Sequence, residues 1–397
     1  MSEGVLPSVA VVGGCGHVGL PLGLCLADAG HAVTLVDTDP ERVAAVLRGA
    51  MPFQERGAIP ILERVLREGR LRAATDLGGL GDPEVVIVTI GTPVDEYLDP
   101  DAGGFFRSME GLLDRMRPGQ LLVLRSTLFP GVTERLAGVI RGRRLDVDLA
   151  YCPERIAQGH AIEELRTLPQ LVSGASERAA ERARAFFGSV ADRVVTVTPV
   201  EAELSKLFAN AYRYIHFAIS NQFLMIAEKF GADYRRIHEA ATFEYPRLSG
   251  FARPGFVGGP CLFKDTMQLA AFNHTSFLLG QAAMMVNEGL PGFIVEGLKR
   301  RRNLREETVG ILGMAFKGDS DDPRSSLSYK LRKVLLLECR EVLCTDPRVP
   351  DPRLVPLERV LRDSDVLILG ACHREYRDLR IEKPLVDVFH FLPRRDA

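Results

Sequence analysis

The chain has 397 residues, a length that predicts two or three domains with ample sequence to bury a core. Fifty Lys+Arg against 52 Asp+Glu leave a formal charge of −2, so small molecules are expected as partners, not nucleic acid or a membrane surface. With 46% apolar residues, no unbroken apolar run long enough for a bilayer, and seven cysteines without a CxxC pair, composition excludes a membrane span, a disulfide-stapled miniprotein and a zinc ribbon; no metal is expected.

Met1-Ser2-Glu3-Gly4 opens on an acid instead of a basic segment, which predicts no signal peptide and a cytoplasmic location. Short β-branched runs at 8–12, 32–37, 84–90, 121–125 and 146–151 alternate with helical stretches and predict a parallel, doubly wound sheet. Further strands are expected at 170–173 and 193–197, with a domain boundary at Thr198-Pro199. From 200 to about 231 no Gly or Pro interrupts a sequence whose apolar residues recur at three and four, which predicts one long helix capped by Gly231, serving as domain connector or dimer-forming element. A Gly/Pro-dense stretch at 249–260 follows, then more helix to about Arg302. Beyond Glu307 the strand–helix alternation returns at 309–312, 341–345, 365–369 and 385–388. The expected architecture is α/β: two Rossmann-like doubly wound domains (1–198 and 303–397) joined by a long central helix and a helical middle domain (199–302).

The first predicted strand runs into Gly14-Cys15-Gly16-His17-Val18-Gly19, and Asp37 ends the second about 20 residues later. Glycines there allow a tight turn and close approach of backbone N–H groups to a pyrophosphate, while Asp37 would accept hydrogen bonds from a ribose and repel a 2′-phosphate. NAD is the expected cofactor; the fingerprint alone also admits FAD. Ile90-Gly91-Thr92-Pro93 and Ser126-Thr127 end the third and fourth predicted strands, where turns line the crevice of an open sheet.

A second constellation centres on Cys261, which follows a glycine loop and precedes a predicted helix. A helix N-terminus and a nearby cation both favour a thiolate, the form a nucleophile needs. Cys25, Cys339, Cys344 and Cys372 read as small buried hydrophobes. Lys206 and Asn210 stand four apart on the long helix and so share a face, where an amine and an amide could hold an oxyanion. Glu154, in Cys152-Pro153-Glu154-Arg155, supplies a carboxylate suited to act as a base, and adjacent Lys264 and Asp265 place a cation and a second carboxylate beside the thiol.

In order along the chain, GCGHVG, IGTP, RSTLFPG, CPERIAQG, KLFANAYR, GFVGGPCLFKD and GMAFKGDSDDPRSS resemble the motifs of the nucleotide-sugar 6-dehydrogenases, the group containing UDP-glucose, UDP-N-acetylmannosamine and GDP-mannose dehydrogenases. The resemblance implies a four-electron, NAD-dependent oxidation of a sugar C6 alcohol to a carboxylate, through a thiohemiacetal and then a thioester on Cys261. It gives Lys206 and Asn210 the oxyanions, Asp265 the activation of water, and Glu154 and Thr127 the placement of that water and contact with substrate. Thr92, Thr127, Lys264 and Arg324 fall near the dinucleotide. Arg155, Phe256, Gly258, Phe316 and Lys317 fall near the nucleotide-sugar, with Tyr245 and Arg247 reaching it across a homodimer interface. One departure is that Asp387-Val388-Phe389-His390 stands where many members carry Asp-x-Arg, leaving Arg394 as a candidate substitute. The motif wording points two ways on substrate, to a UDP-hexose and to a UDP-N-acetylhexosamine. The alternative activity is a β-hydroxyacid-type dehydrogenase, with one hydride transfer and no thiol; a binding protein that has lost catalysis is the rival from another class.

Overall fold

A computed structural model describes residues 6–92, 101–273 and 276–393, which divide into two compact units, Met1–Phe208 and Ala209–Ala397. The first unit carries β1 (Val9–Val12), β2 (Val33–Val36), β3 (Leu71–Ala74), β4 (Val85–Val88), β5 (Leu121–Leu124), β6 (Asp148–Tyr151), β7 (Gln170–Gly174) and β8 (Val194–Thr196) in one sheet of order β3-β2-β1-β4-β5-β6-β7-β8. Side chains alternate across it: Val9 and Val11 enter one buried cluster with Leu35 and Ile87, while Ala10 enters the other with Val86 and Leu122. Both faces are therefore covered, which is why the strands read as unbroken apolar runs. The chain order reverses at the β1–β4 pair, opening a crevice at their carboxyl ends.

Two features go beyond the sequence expectation. The sheet is mixed: β7 runs antiparallel to β6, pairing Tyr151 with Ser173, and β8 follows β7. Strand β3 was not predicted, because Leu-Arg-Ala-Ala at a sheet edge has one buried residue and no β-branched one.

The long helix spans Pro199–Lys229, 31 residues, about 46 Å at 1.5 Å per residue. It stops where Gly231 takes φ +64°, with the Ala232 N–H donating back to Ala227 O, the closing bond of a Schellman cap. In the second unit β9 (Thr308–Leu312), β10 (Glu341–Thr345), β11 (Val366–Leu369) and β12 (Leu385–Val386) form a parallel sheet of order β10-β9-β11-β12. Leu224, Leu290 and Ile294 share a buried cluster with Val309, Ile311 and Ile368, so these helices and this sheet are stabilised by one core.

The two sheets repeat a device. A left-handed glycine follows the first strand of each, Gly13 (φ +80°) after β1 and Gly313 (φ +97°) after β9. An aspartate one residue past the neighbouring strand, Asp37 after β2 and Asp346 after β10, then accepts backbone N–H groups from that turn.

Candidate active site

In the first unit, the glycine turn passes directly into the helix Gly19–Asp28, with Val18 as its N-cap residue. A Cβ at Gly14 would lie 2.6 Å from Val11 O, and one at Gly19 would lie 2.4 Å from Gly13 O, so the helix packs too close to the sheet for any other residue. A Cβ at Gly16 would meet nothing nearer than 3.5 Å. That is the cradle a pyrophosphate needs, with close packing behind and an open backbone at the helix N-terminus. Asp37, half-buried, accepts from Cys15 N (2.8 Å) and Asp39 N (3.1 Å), which fixes its carboxylate at the mouth of the turn. His17 packs on Phe53 at 4.0 Å between ring centroids and meets Gln158 Nε2 at 3.5 Å. The Thr92 hydroxyl donates to Thr127 O (2.7 Å), so the turns after β4 and β5 are joined; Pro93 lies outside the described residues.

Glu154 follows β6 and is bonded within its own turn. Its carboxylate pairs with the buried guanidinium of Arg125 and accepts from Arg155 N (2.7 Å) and Ile156 N (3.0 Å), while Arg125 also donates to Cys152 O and Gln170 Oε1. A carboxylate so engaged fixes the turn after β6. Arg155 is exposed, and its guanidinium donates to Pro169 O.

Glu203, buried on the long helix, holds the turn after β5: it accepts from Gly131 N (2.7 Å), Thr133 N (2.8 Å) and the Thr133 hydroxyl (2.6 Å), capping the helix Val132–Gly142. The sequence reading missed it, although it lies one turn before Lys206. Lys206 is half-buried and makes no hydrogen bond or ion pair among the described residues.

In the second unit, Cys261 is the N-cap residue of the helix Leu262–Phe272 and the one exposed thiol of the seven. Burial pushes Cys15 and Cys152 up to about 12, and Cys25, Cys339 and Cys344 to about 11, so these thiols are inert at neutral pH. One turn into that helix, buried Asp265 receives Asn210 Nδ2 at 2.5 Å and pairs with Lys264 Nζ at 2.9 Å. Asn210 and the adjacent Lys264-Asp265, taken from two distant motifs, thus form one network on the helix that follows the thiol. Lys264, expected near the dinucleotide, stands in that network. Arg324, likewise expected there, is bound to Asp322 through Nε (2.9 Å) and Nη2 (2.6 Å), which raises its pKa, and Cys261 contributes to the same rise. A guanidinium is therefore within electrostatic reach of the thiol.

The loop leading to Cys261 is wedged on three sides. A Cβ at Gly255 would lie 2.3 Å from the Phe389 ring, one at Gly258 2.7 Å from Ser325 O, and one at Gly259 2.6 Å from the Phe316 ring. Phe256 packs edge-on against Phe389 at 5.7 Å, and the Lys317 ammonium sits 5.6 Å from the centre of the Phe316 ring. Phe256, Gly258, Phe316 and Lys317 are thus brought together around the thiol loop. Phe389, where an arginine was expected, is part of this packing. Asp387 accepts from Phe389 N (3.1 Å) and Leu392 N (2.9 Å) and faces Arg235 at 3.8 Å; Arg394 lies outside the described residues. Tyr245 and Arg247 are exposed at the turn Pro246–Leu248, the guanidinium of Arg247 5.6 Å from the centre of the Tyr245 ring.

Buried Asp346 accepts from Met314 N (2.6 Å) and Ala315 N (2.9 Å) and from His373 Nε2 (3.0 Å), and His373 Nδ1 accepts from Asp319 N (3.1 Å). These bonds pin the turn that carries Phe316 and Lys317. Sequence reading missed both residues, though an acid one position past β10 repeats the pattern of Asp37.

Three domain models of one family match consecutive stretches of the chain: the UDP-glucose/GDP-mannose dehydrogenase family's NAD binding domain over residues 8–190, its central domain over 200–289, and its UDP binding domain over 310–392. The chain is similar to the UDP-N-acetyl-D-mannosamine dehydrogenase of Pyrococcus horikoshii, 30% identical over 388 residues, 94% of this chain and 91% of that protein. It is also similar to the UDP-glucose 6-dehydrogenase AglM of Haloferax volcanii, 31% identical with 84% and 82% covered. The solved structure of the Pyrococcus horikoshii enzyme superposes with a TM-score of 0.88 at 29% identity, covering 95% of this chain and 93% of its own. The chain therefore belongs to the UDP-glucose/GDP-mannose dehydrogenase family and is an NAD-dependent dehydrogenase of nucleotide sugars.

Proposed function

We propose that the enzyme oxidises the C6 alcohol of a UDP-hexose or UDP-N-acetylhexosamine to the uronate in two successive oxidations, with Cys261 as covalent nucleophile. The observation that carries this reading is the exposed thiol at a helix N-terminus, backed by Asp265 with Lys264 and Asn210. NAD, when bound, supplies the hydride acceptor; Gly14, Gly16, His17, Val18, Gly19, Asp37, Thr92 and Thr127 would hold it. The Cys261 thiol adds to the C6 aldehyde to give a thiohemiacetal, whose oxidation leaves a thioester, and water releases the carboxylate and restores the thiol. Lys206 and Asn210 hold the oxyanion at each stage, each donor lowering the barrier by about 3 to 4 kcal/mol. Asp265 orients the water, and Lys317 with Phe316 receives the diphosphate sugar. The division into 1–198, 199–302 and 303–397 assigns these tasks to cofactor binding, catalysis and nucleotide-sugar binding.

The same reading takes the enzyme as a homodimer. Ile219, Phe223 and Ile226 on the long helix and Phe230 just past its end line an apolar groove of about 740 Å³ with Ile237 and Phe251, and Phe230 is 83% exposed. A second copy covering this face would bury it and bring Arg247 to its partner's substrate.

Purified enzyme given NAD with UDP-glucose and, separately, UDP-N-acetylmannosamine tests the chemistry. Two NADH per sugar are expected with wild type, and no uronate with Cys261→Ala. Acid formation by that variant at near wild-type rate, or one NADH per sugar, would sink the covalent reading.

A further inference from the structure

Gly255, six residues before Cys261, has φ +145°, and one side chain serves both polar groups of its backbone. Its N–H donates to Asn221 Oδ1 (2.8 Å), and Asn221 Nδ2 donates to its carbonyl (3.0 Å). The second proton of that amide goes to Asn287 Oδ1 (2.9 Å), and Asn287 Nδ2 donates to Tyr214 O (3.0 Å). Both asparagines are fully buried, Asn221 on the long helix and Asn287 on the helix Leu278–Lys299. The network admits only one orientation. A backbone N–H requires the oxygen of Asn221, which turns its nitrogen toward Asn287 and so decides that second amide as well.

Two buried amides at an interface between helices would be replaceable by leucine if filling space were their only task, because burying a polar group is unfavourable without a full set of partners. Here every bond ends on backbone or on the other amide, and the terminus of the chain of bonds is the loop that Phe389 and Phe316 wedge from outside. We propose that Asn221 and Asn287 are a positioning pair: Asn221 clamps Gly255, Asn287 locks Asn221, and together they set where Cys261 stands. The proposal rests on reading Cys261 as the nucleophile. Neither asparagine touches a reacting atom in it.

The test compares wild type with Asn221→Ala, which removes the clamp, and with Asn287→Ser, which leaves Gly255 bonded but removes the bond that Asn287 adds to the amide of Asn221. Amide hydrogen exchange over residues 255–259, kcat and KM for the nucleotide sugar, and the Kd for NAD are measured. With Asn221→Ala, exchange is expected to rise and kcat to fall by about ten-fold or more, as misplacement of a reacting group produces, with KM and the Kd for NAD nearly unchanged. Asn287→Ser moves the same quantities in the same direction by less, and carries the test alone if Asn221→Ala does not fold. Unchanged exchange in the folded variants overturns the clamp whatever Cys261 does. Faster exchange at wild-type kcat overturns the positioning role. Acid formation by Cys261→Ala, in contrast, removes the covalent reading and leaves the exchange result standing.

Discussion

Asp346 shows what a buried carboxylate needs in order to stay charged. Burial pushes its pKa up, but donation from His373 and from the N–H groups of Met314 and Arg348 outweighs that and holds it at about 2, below the ordinary 3.8. A depressed carboxylate stabilises the fold fully above its ordinary pKa, and the contribution fades as pH falls through the folded value. The window is therefore pH 4 down to 2, and the size about 2 kcal/mol at 1.36 kcal/mol per unit. Urea unfolding of wild type and Asp346→Asn at pH 6 and pH 2 should show their stability difference shrinking by that amount; a constant difference would refute the assignment. The pairing of Glu154 with Arg125 was not legible in the sequence. Pro-Glu-Arg after a strand reads as an available acid until Arg125, 29 positions away, is seen against it. Cys261 was legible because a glycine loop and an adjacent Lys-Asp set it apart from the six other cysteines. Asn221 was not, since an asparagine inside a long amphipathic helix looks the same whether it meets water or a neighbouring backbone.

The long helix carries Glu203, Lys206, Asn210 and Asn221. Its fourth and fifth residues enter the first unit's core as Ala202 and Glu203, and the carboxylate of Glu203 meets the positive end of the helix Val132–Gly142. Glu203→Ala strands three donors, two of them buried at Thr133, and should cost about 3 kcal/mol in urea unfolding, with a fall in kcat because Thr127 and Lys206 flank the lost bonds. Loss of less than about 1 kcal/mol would mean that water replaces the carboxylate. Helices and central strands were readable from periodicity and β-branched runs, since burial on both faces leaves that pattern. The direction of β7 was not, because an antiparallel and a parallel strand carry the same side chains; only the length of the connection through the helix Ala161–Thr167 differs in kind.

At the scale of the molecule, the apolar groove beside Phe223 is the feature that a single copy leaves unexplained. A dimer mass is expected in sedimentation equilibrium at micromolar concentration, and Phe223→Glu should shift it to a monomer by placing a charge against the partner's apolar face. A wild-type protein that sediments as a monomer would take Arg247 out of the active site. No helix among the described residues is long and apolar enough to cross a membrane.

The repeated pairing of a left-handed glycine with its own aspartate, Gly13 with Asp37 and Gly313 with Asp346, makes the two nucleotide-reading edges modular. Each turn is latched within its own sheet, so redesigning the dinucleotide edge to accept a phosphorylated ribose leaves the other latch intact. Specificity for the electron acceptor and for the sugar donor can thus drift, or be grafted, one at a time.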